Sequence, residues 1–160
     1  MRDASLVNWS SIHHAYGAAS DIPALLEKVT KLQREGAFEA FIDLRGKVCH
    51  QGVVIGEATS YVLDYLIDIV RSGESPIRVE LFKLVENISN ASTAWRSAAR
   101  NASPERRANY SRRISWELAV EDKFVNILSS LELLTADPNP EVRRIAESLV
   151  VKHADQSMSE

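Results

Sequence analysis

Six arginines between residues 96 and 113 (Arg96, Arg100, Arg106, Arg107, Arg112 and Arg113) face a single acid, Glu105, and are interleaved with Trp95, Tyr110 and Trp116. Guanidinium groups neutralise phosphates and aromatic rings stack on bases, so a stretch of this kind can grip nucleic acid. The same residue types also carry a disproportionate share of the energy in protein interfaces. A third reading is a solvated basic loop whose tryptophans close the core. The net charge of −3 works against polyanion binding and favours the protein contact. The candidate partner-binding residues are therefore Trp95, Arg96, Arg106, Arg107, Tyr110, Arg112, Arg113 and Trp116.

His13, His14, Cys49 and His50 are the second group with chemical potential, because imidazole and thiolate are the ligands zinc prefers. Their spacing matches no zinc signature, and adjacent side chains on a helix diverge by about 100°. No metal and no cofactor are expected. We read His13, His14, Tyr16, His50 and Gln51 instead as the residues that dock the N-terminal segment or form a small binding surface. No nucleophile elbow, phosphate-cradling glycine loop or zinc-protease pair occurs, so no catalytic residue is assigned and the chain is read as a non-enzyme. Gly52 and Gly56 bracket three apolar residues without a lysine, which describes a tight turn.

The elements that must position these groups follow from apolar spacing. Asp21 and Pro23 open a helix whose buried face is Ile22, Leu25, Leu26, Val29 and Leu32, and Gly36 is expected to end it. A second helix should bury Phe38, Phe41, Ile42 and Cys49. A third, with Val62, Leu63, Leu66, Ile67, Ile69 and Val70, is apolar around more than half its circumference and should be central. Gly73 stops it, Ser75 and Pro76 start the next, and Ile77, Leu81, Leu84, Val85 and Ile88 continue at helical spacing. No segment sustains an alternating period, so the fold class is all-α. The ring-rich residues 1–20 should pack as a cap across the first helix, and 154–160 should be a disordered tail.

The helical hairpin between Leu131 and Val151 carries its own stop and start. Asn139 is placed to cap the second helix, and Pro140 suits the first helical position. Laying residues 62–85 on 127–150 needs no gap. Val62 meets Ile127, Leu66 meets Leu131, Ile77 meets Val142, Arg78 meets Arg143 and Leu84 meets Leu149. The offset of 65 exceeds the roughly 40 to 47 residues of a two-helix repeat, and the surplus falls in residues 90–114, read as an insertion on one edge.

Asp137, Pro138, Val142 and Arg143 ahead of this apolar stripe resemble the second half of a HEAT-type repeat. The segment WSSIHHAYGAASDIPALL, with GKVCHQG after it, is similar to small bacterial HEAT-like proteins. The resemblance implies a single domain over 1–160: a right-handed α-α superhelix of about three helical hairpins. It also implies that Asp137 and Arg143 hydrogen-bond between neighbouring repeats, although Ser72 stands where the earlier copy would have its acid.

The chain contains one cysteine, and its first residues have no apolar leader, so a reducing, cytoplasmic setting without a membrane is expected. The function expected is a protein-binding scaffold or adaptor acting through its concave helices and the arginine-rich insertion, with an immunity or antitoxin protein as one instance. The alternative is a nucleic-acid-binding or base-repair protein of the same architecture.

Overall fold

The computed structural model describes residues 2–111 and 114–157, so Arg112 and Arg113 lie outside the described residues. Seven helices dominate those residues: α1 (Ile22–Lys31), α2 (Arg34–Val48), α3 (Glu57–Ser72), α4 (Arg78–Asn101), α5 (Pro104–Ser111), α6 (Ile114–Leu134) and α7 (Pro140–Ser157). Two miniature antiparallel ribbons accompany them, β1 (His13–His14) with β2 (Gly17–Ala18) and β3 (Cys49–His50) with β4 (Val54–Ile55). Alternation over two residues leaves no periodic trace, which is why the expectation of a purely helical chain missed them.

Helix α1 buries Ile22, Leu25, Leu26 and Val29, as its spacing predicts, but Leu32, expected on the same face, is exposed. It ends at Lys31 because Leu32 turns extended, at φ −74° and ψ 159°. Gly36 does not terminate it, contrary to expectation, and sits in the first turn of α2. A Cβ there would stand 3.1 Å from Leu32 Cδ1, so the glycine lets the α1–α2 corner close tightly. The face of α2 is also rotated from the one expected. Ala37, Ala40, Phe41, Leu44 and Val48 are buried, while Phe38 and Ile42 are each 43% exposed. Alanines at the contact let α1 approach more closely than two phenylalanines would allow.

Helix α3 is the central element, with Val62, Leu63, Leu66, Ile67, Ile69 and Val70 all buried. Thr59 anchors its start, accepting from Gly56 N at 2.9 Å and donating to Val48 O at 2.7 Å. Gly73 stops it in the left-handed conformation (φ 73°) that favours a residue without Cβ. Ser75 then ties this corner to the first hairpin. Its hydroxyl donates to Val29 O at 2.6 Å and accepts from Ile77 N at 3.3 Å. The regular helix α4 begins at Arg78, two residues later than Pro76.

Hairpins α1–α2, α3–α4 and α6–α7 pack in chain order around one continuous core, with α3 against α6 and α4 against both α6 and α7. Between neighbours runs a repeated polar step. Arg34, at the start of α2, reaches the next corner and donates to Pro76 O at 2.8 Å and to Glu80 Oε1 at 2.7 Å. Arg78, at the start of α4, does the same one hairpin later, gripping both carboxylate oxygens of Asp137. Asp137 thus bridges neighbouring hairpins, the role the resemblance implied for it and for Arg143. Arg143 instead closes its own corner, donating to Asp137 O at 2.7 Å and Pro138 O at 3.0 Å. Asn139 caps α7 through Glu141 N at 2.9 Å and Val142 N at 3.3 Å.

The surplus residues 90–114 are helical where described, apart from a break at Ala102 and Ser103. Helix α4 runs on to Asn101, and the Ser103–Pro104 signal starts α5. Residues 154–157, expected in a disordered tail, continue α7, while 158–160 lie outside the described residues. The N-terminal segment packs over α3 and not across α1. Trp9 is buried against Tyr61 and Tyr65, at ring separations of 6.3 and 5.9 Å. Arg2 N donates to Asp68 at 2.8 Å, and the Arg2 side chain pairs with Asp64 at 2.6 Å. The segment thus covers the flank of α3 that carries Tyr61, Asp64, Tyr65 and Asp68, and shares Asp64 with Lys123 of α6.

Candidate functional site

The two ribbons bring the N-terminal segment and the end of α2 together. Ala15 N donates to Lys47 O at 3.3 Å, and Tyr16 N donates to His14 Nδ1 at 3.0 Å. Since His14 Nδ1 accepts, its ring proton belongs on Nε2, which faces Asp21 Oδ1 at 3.1 Å. Lys47 pairs with the same Asp21 and with Asp43, and these contacts pull the Asp21 carboxyl below its ordinary value despite partial burial. The Tyr16 hydroxyl lies 2.9 Å from His50 Nδ1, with the two rings edge to face at 5.6 Å. Tyr16 is thus tied at three points while 66% of it stays exposed.

Tyr16 forms one wall of a cleft of about 450 Å³ between α2 and α4. Ile42, Arg45 and Gly46 line it from α2, His50, Gln51 and Gly52 from the ribbon, and Asn87 from α4. Cys49 forms part of the same lining. Burial pushes its thiol up to about 11, so at neutral pH it is a protonated, apolar surface. Gln51 holds φ at 53° and Gly52 at 75°, so two consecutive left-handed residues fold the ribbon over the cleft's end. For glutamine that conformation is uncommon and strained. Arg45 lies over the Phe41 ring, 5.8 Å from its centroid, and has no carboxylate within salt-bridge distance among the described residues.

Of the residues singled out as docking or binding groups, Tyr16, His50 and Gln51 meet at this cleft, and His14 positions Tyr16. His13 points elsewhere, its backbone N–H donating to Glu57 at 3.0 Å and its ring 3.6 Å from the same carboxylate. Among the described residues, no three His, Cys, Asp or Glu side chains are grouped to hold a metal ion. Sequence reading missed Arg45, Gly46 and Asn87. Each is an ordinary helix residue, and it is the packing of α4 against the β3–β4 ribbon at the end of α2 that brings them to one place.

The arginine-rich stretch is partly engaged in packing. Trp95 is half-buried, with its ring 4.9 Å from that of Tyr110, and this contact pins α5 to α4. Arg96 pairs with Glu121 of α6. Trp116 is half-buried on α6. Arg106 and Arg107 remain exposed on α5, with Arg107 Nε donating to Ala102 O at 3.2 Å. Within this stretch, the exposed arginines among the described residues are therefore Arg100, Arg106 and Arg107.

Comparison with known proteins found no matching family model, curated protein or solved structure. Among the described residues, no helix is long and apolar enough to cross a membrane.

Proposed function

We propose that the chain is a non-catalytic, cytoplasmic protein-binding scaffold, its three hairpins wound as a HEAT-like right-handed superhelix. The observation that carries this reading is how unequally its arginines are used. Arg34, Arg78, Arg96 and Arg143 are spent on holding elements together, whereas Arg106 and Arg107 are exposed on a short helix that packs on α4 and α6. A presented basic helix beside a rigid stack suits an acidic protein surface, and an immunity or antitoxin role is one instance of such a contact.

Affinity capture from the native host, with wild type and with Arg106→Ala/Arg107→Ala, tests it. A stoichiometric protein partner should appear with wild type and be lost with the variant, whose thermal melt should stay the same. Capture of the same partner by both would remove α5 from the interface. Absence of any partner would sink the scaffold reading.

Nucleic-acid binding is the second reading, because Arg100, Arg106 and Arg107 have no carboxylate partner among the described residues. Affinity resting on those charges should fall steeply between about 50 and 200 mM salt. No binding of DNA or RNA at the lower salt would end this reading.

A further inference from the structure

We infer that the cleft between α2 and α4 is a binding site for a small aromatic monocarboxylate, with Arg45 holding the carboxylate. This goes beyond the scaffold reading and does not depend on it. Arg45 is the one side chain of fixed charge lining the cleft, and no acid lines it. Stacked on Phe41, its guanidinium is already oriented, so less side-chain freedom is lost when a carboxylate binds. The other polar groups there, His50, Gln51, Asn87 and the Tyr16 hydroxyl, are hydrogen-bonding partners. A single guanidinium suits a monoanion better than a phosphate ester of higher charge.

The rest of the lining is apolar. The Tyr16 ring and Ile42 offer surface to a hydrocarbon body, and about 450 Å³ falls within the range of small-molecule sites.

Gly46 supplies an independent observation. It lies inside α2, where glycine costs about 0.5–1 kcal/mol relative to alanine. Nothing in the backbone requires it, since its φ is not positive. Nor does packing exclude a side chain, because the nearest atom to an added Cβ is Tyr16 Cε2, at 4.0 Å. What a side chain at 46 would occupy is the cleft. The helix thus carries a local weakness whose structural effect is to keep that space open.

The site can be tested by following backbone amides by NMR while phenylacetate, phenylacetamide or inorganic phosphate is titrated into the full chain. Phenylacetate should saturate below about 10 mM, as expected for about ten heavy atoms with one ion pair. The shifts should centre on Gly46, Gln51, Gly52 and Asn87, and phenylacetamide should bind at least tenfold more weakly. Arg45→Gln should lose at least tenfold in affinity. Gly46→Leu should abolish binding while the melting temperature holds or rises. Failure of phenylacetate to saturate overturns the proposal. So does equal binding of the amide, tighter binding of phosphate, or undiminished binding by a folded Gly46→Leu protein. Arg45 is exposed, so its variant keeps the test decisive should Gly46→Leu not fold.

Discussion

Arg78 and Asp137 join the second hairpin to the third through a two-pronged guanidinium–carboxylate pair, and Arg78 Nε also donates to Val70 O. One side chain thereby satisfies the end of α3 and the corner of the next hairpin. Both partners are largely buried, so removing one strands the other. Asp137→Asn or Arg78→Ala should cost about 2–3 kcal/mol in denaturant unfolding. Arg34 makes the same step with a side chain that is 67% exposed, and Arg34→Ala should cost less than about 1 kcal/mol.

The same pair sets an acid dependence. The Arg78 hydrogen bond is the main force holding the Asp137 carboxyl below its ordinary 3.8, assisted by Asn139 N. A lowered folded value means the unfolded chain takes up the proton first. The stabilisation is therefore complete above the unfolded value and is lost as pH falls through the folded one. Unfolding midpoints of wild type and Asp137→Asn, measured from neutral pH into acid, should differ by a constant amount and then converge at the acid end. A gap that persists in full at the lowest pH would contradict this.

Cys49 should behave as a structural thiol. Because burial raises its value from 9.0 to about 11, thiolate formation opposes folding, and stability should decline as pH rises through that interval. At about pH 8 a thiol reagent should leave the native protein unlabelled and modify it promptly in denaturant. Fast labelling without unfolding would show the thiol to be open to solvent.

Asn139 caps α7 through two backbone N–H groups, and Asn139→Ala should cost about 1 kcal/mol. Tyr110→Ala should remove the ring contact that pins α5, reducing helix content by about two turns of circular dichroism signal while the main melt moves little.

The hairpins were legible because buried faces at helical spacing, Gly73 and the Asn139–Pro140 start are local signals. Phe38 and Ile42 misled, since hydrophobicity alone does not say whether alanine or phenylalanine faces a close neighbour. The polar step from Arg78 to Asp137 was half visible. The resemblance puts Asp137 and Arg143 in bridging roles between hairpins, but the 59 positions between Arg78 and Asp137 hide which arginine meets this acid. Tyr16, His50 and Gln51 stood out by type. Arg45, Gly46 and Asn87 did not, because a cleft belongs to the packing of elements and not to any one of them.

Tyr16 and Trp9 belong to the same stretch of chain, and that stretch is fastened by its first residues to a helix more than sixty positions away. These contacts close a long loop of chain, so the fastening is a non-local step of assembly. Its release would unlatch Trp9 from α3 and Tyr16 from His50 in a single motion, leaving the hairpins standing but one wall of the cleft gone. Amide exchange along 9–19 should then proceed as one cooperative unit, with a lower opening energy than the core of α3.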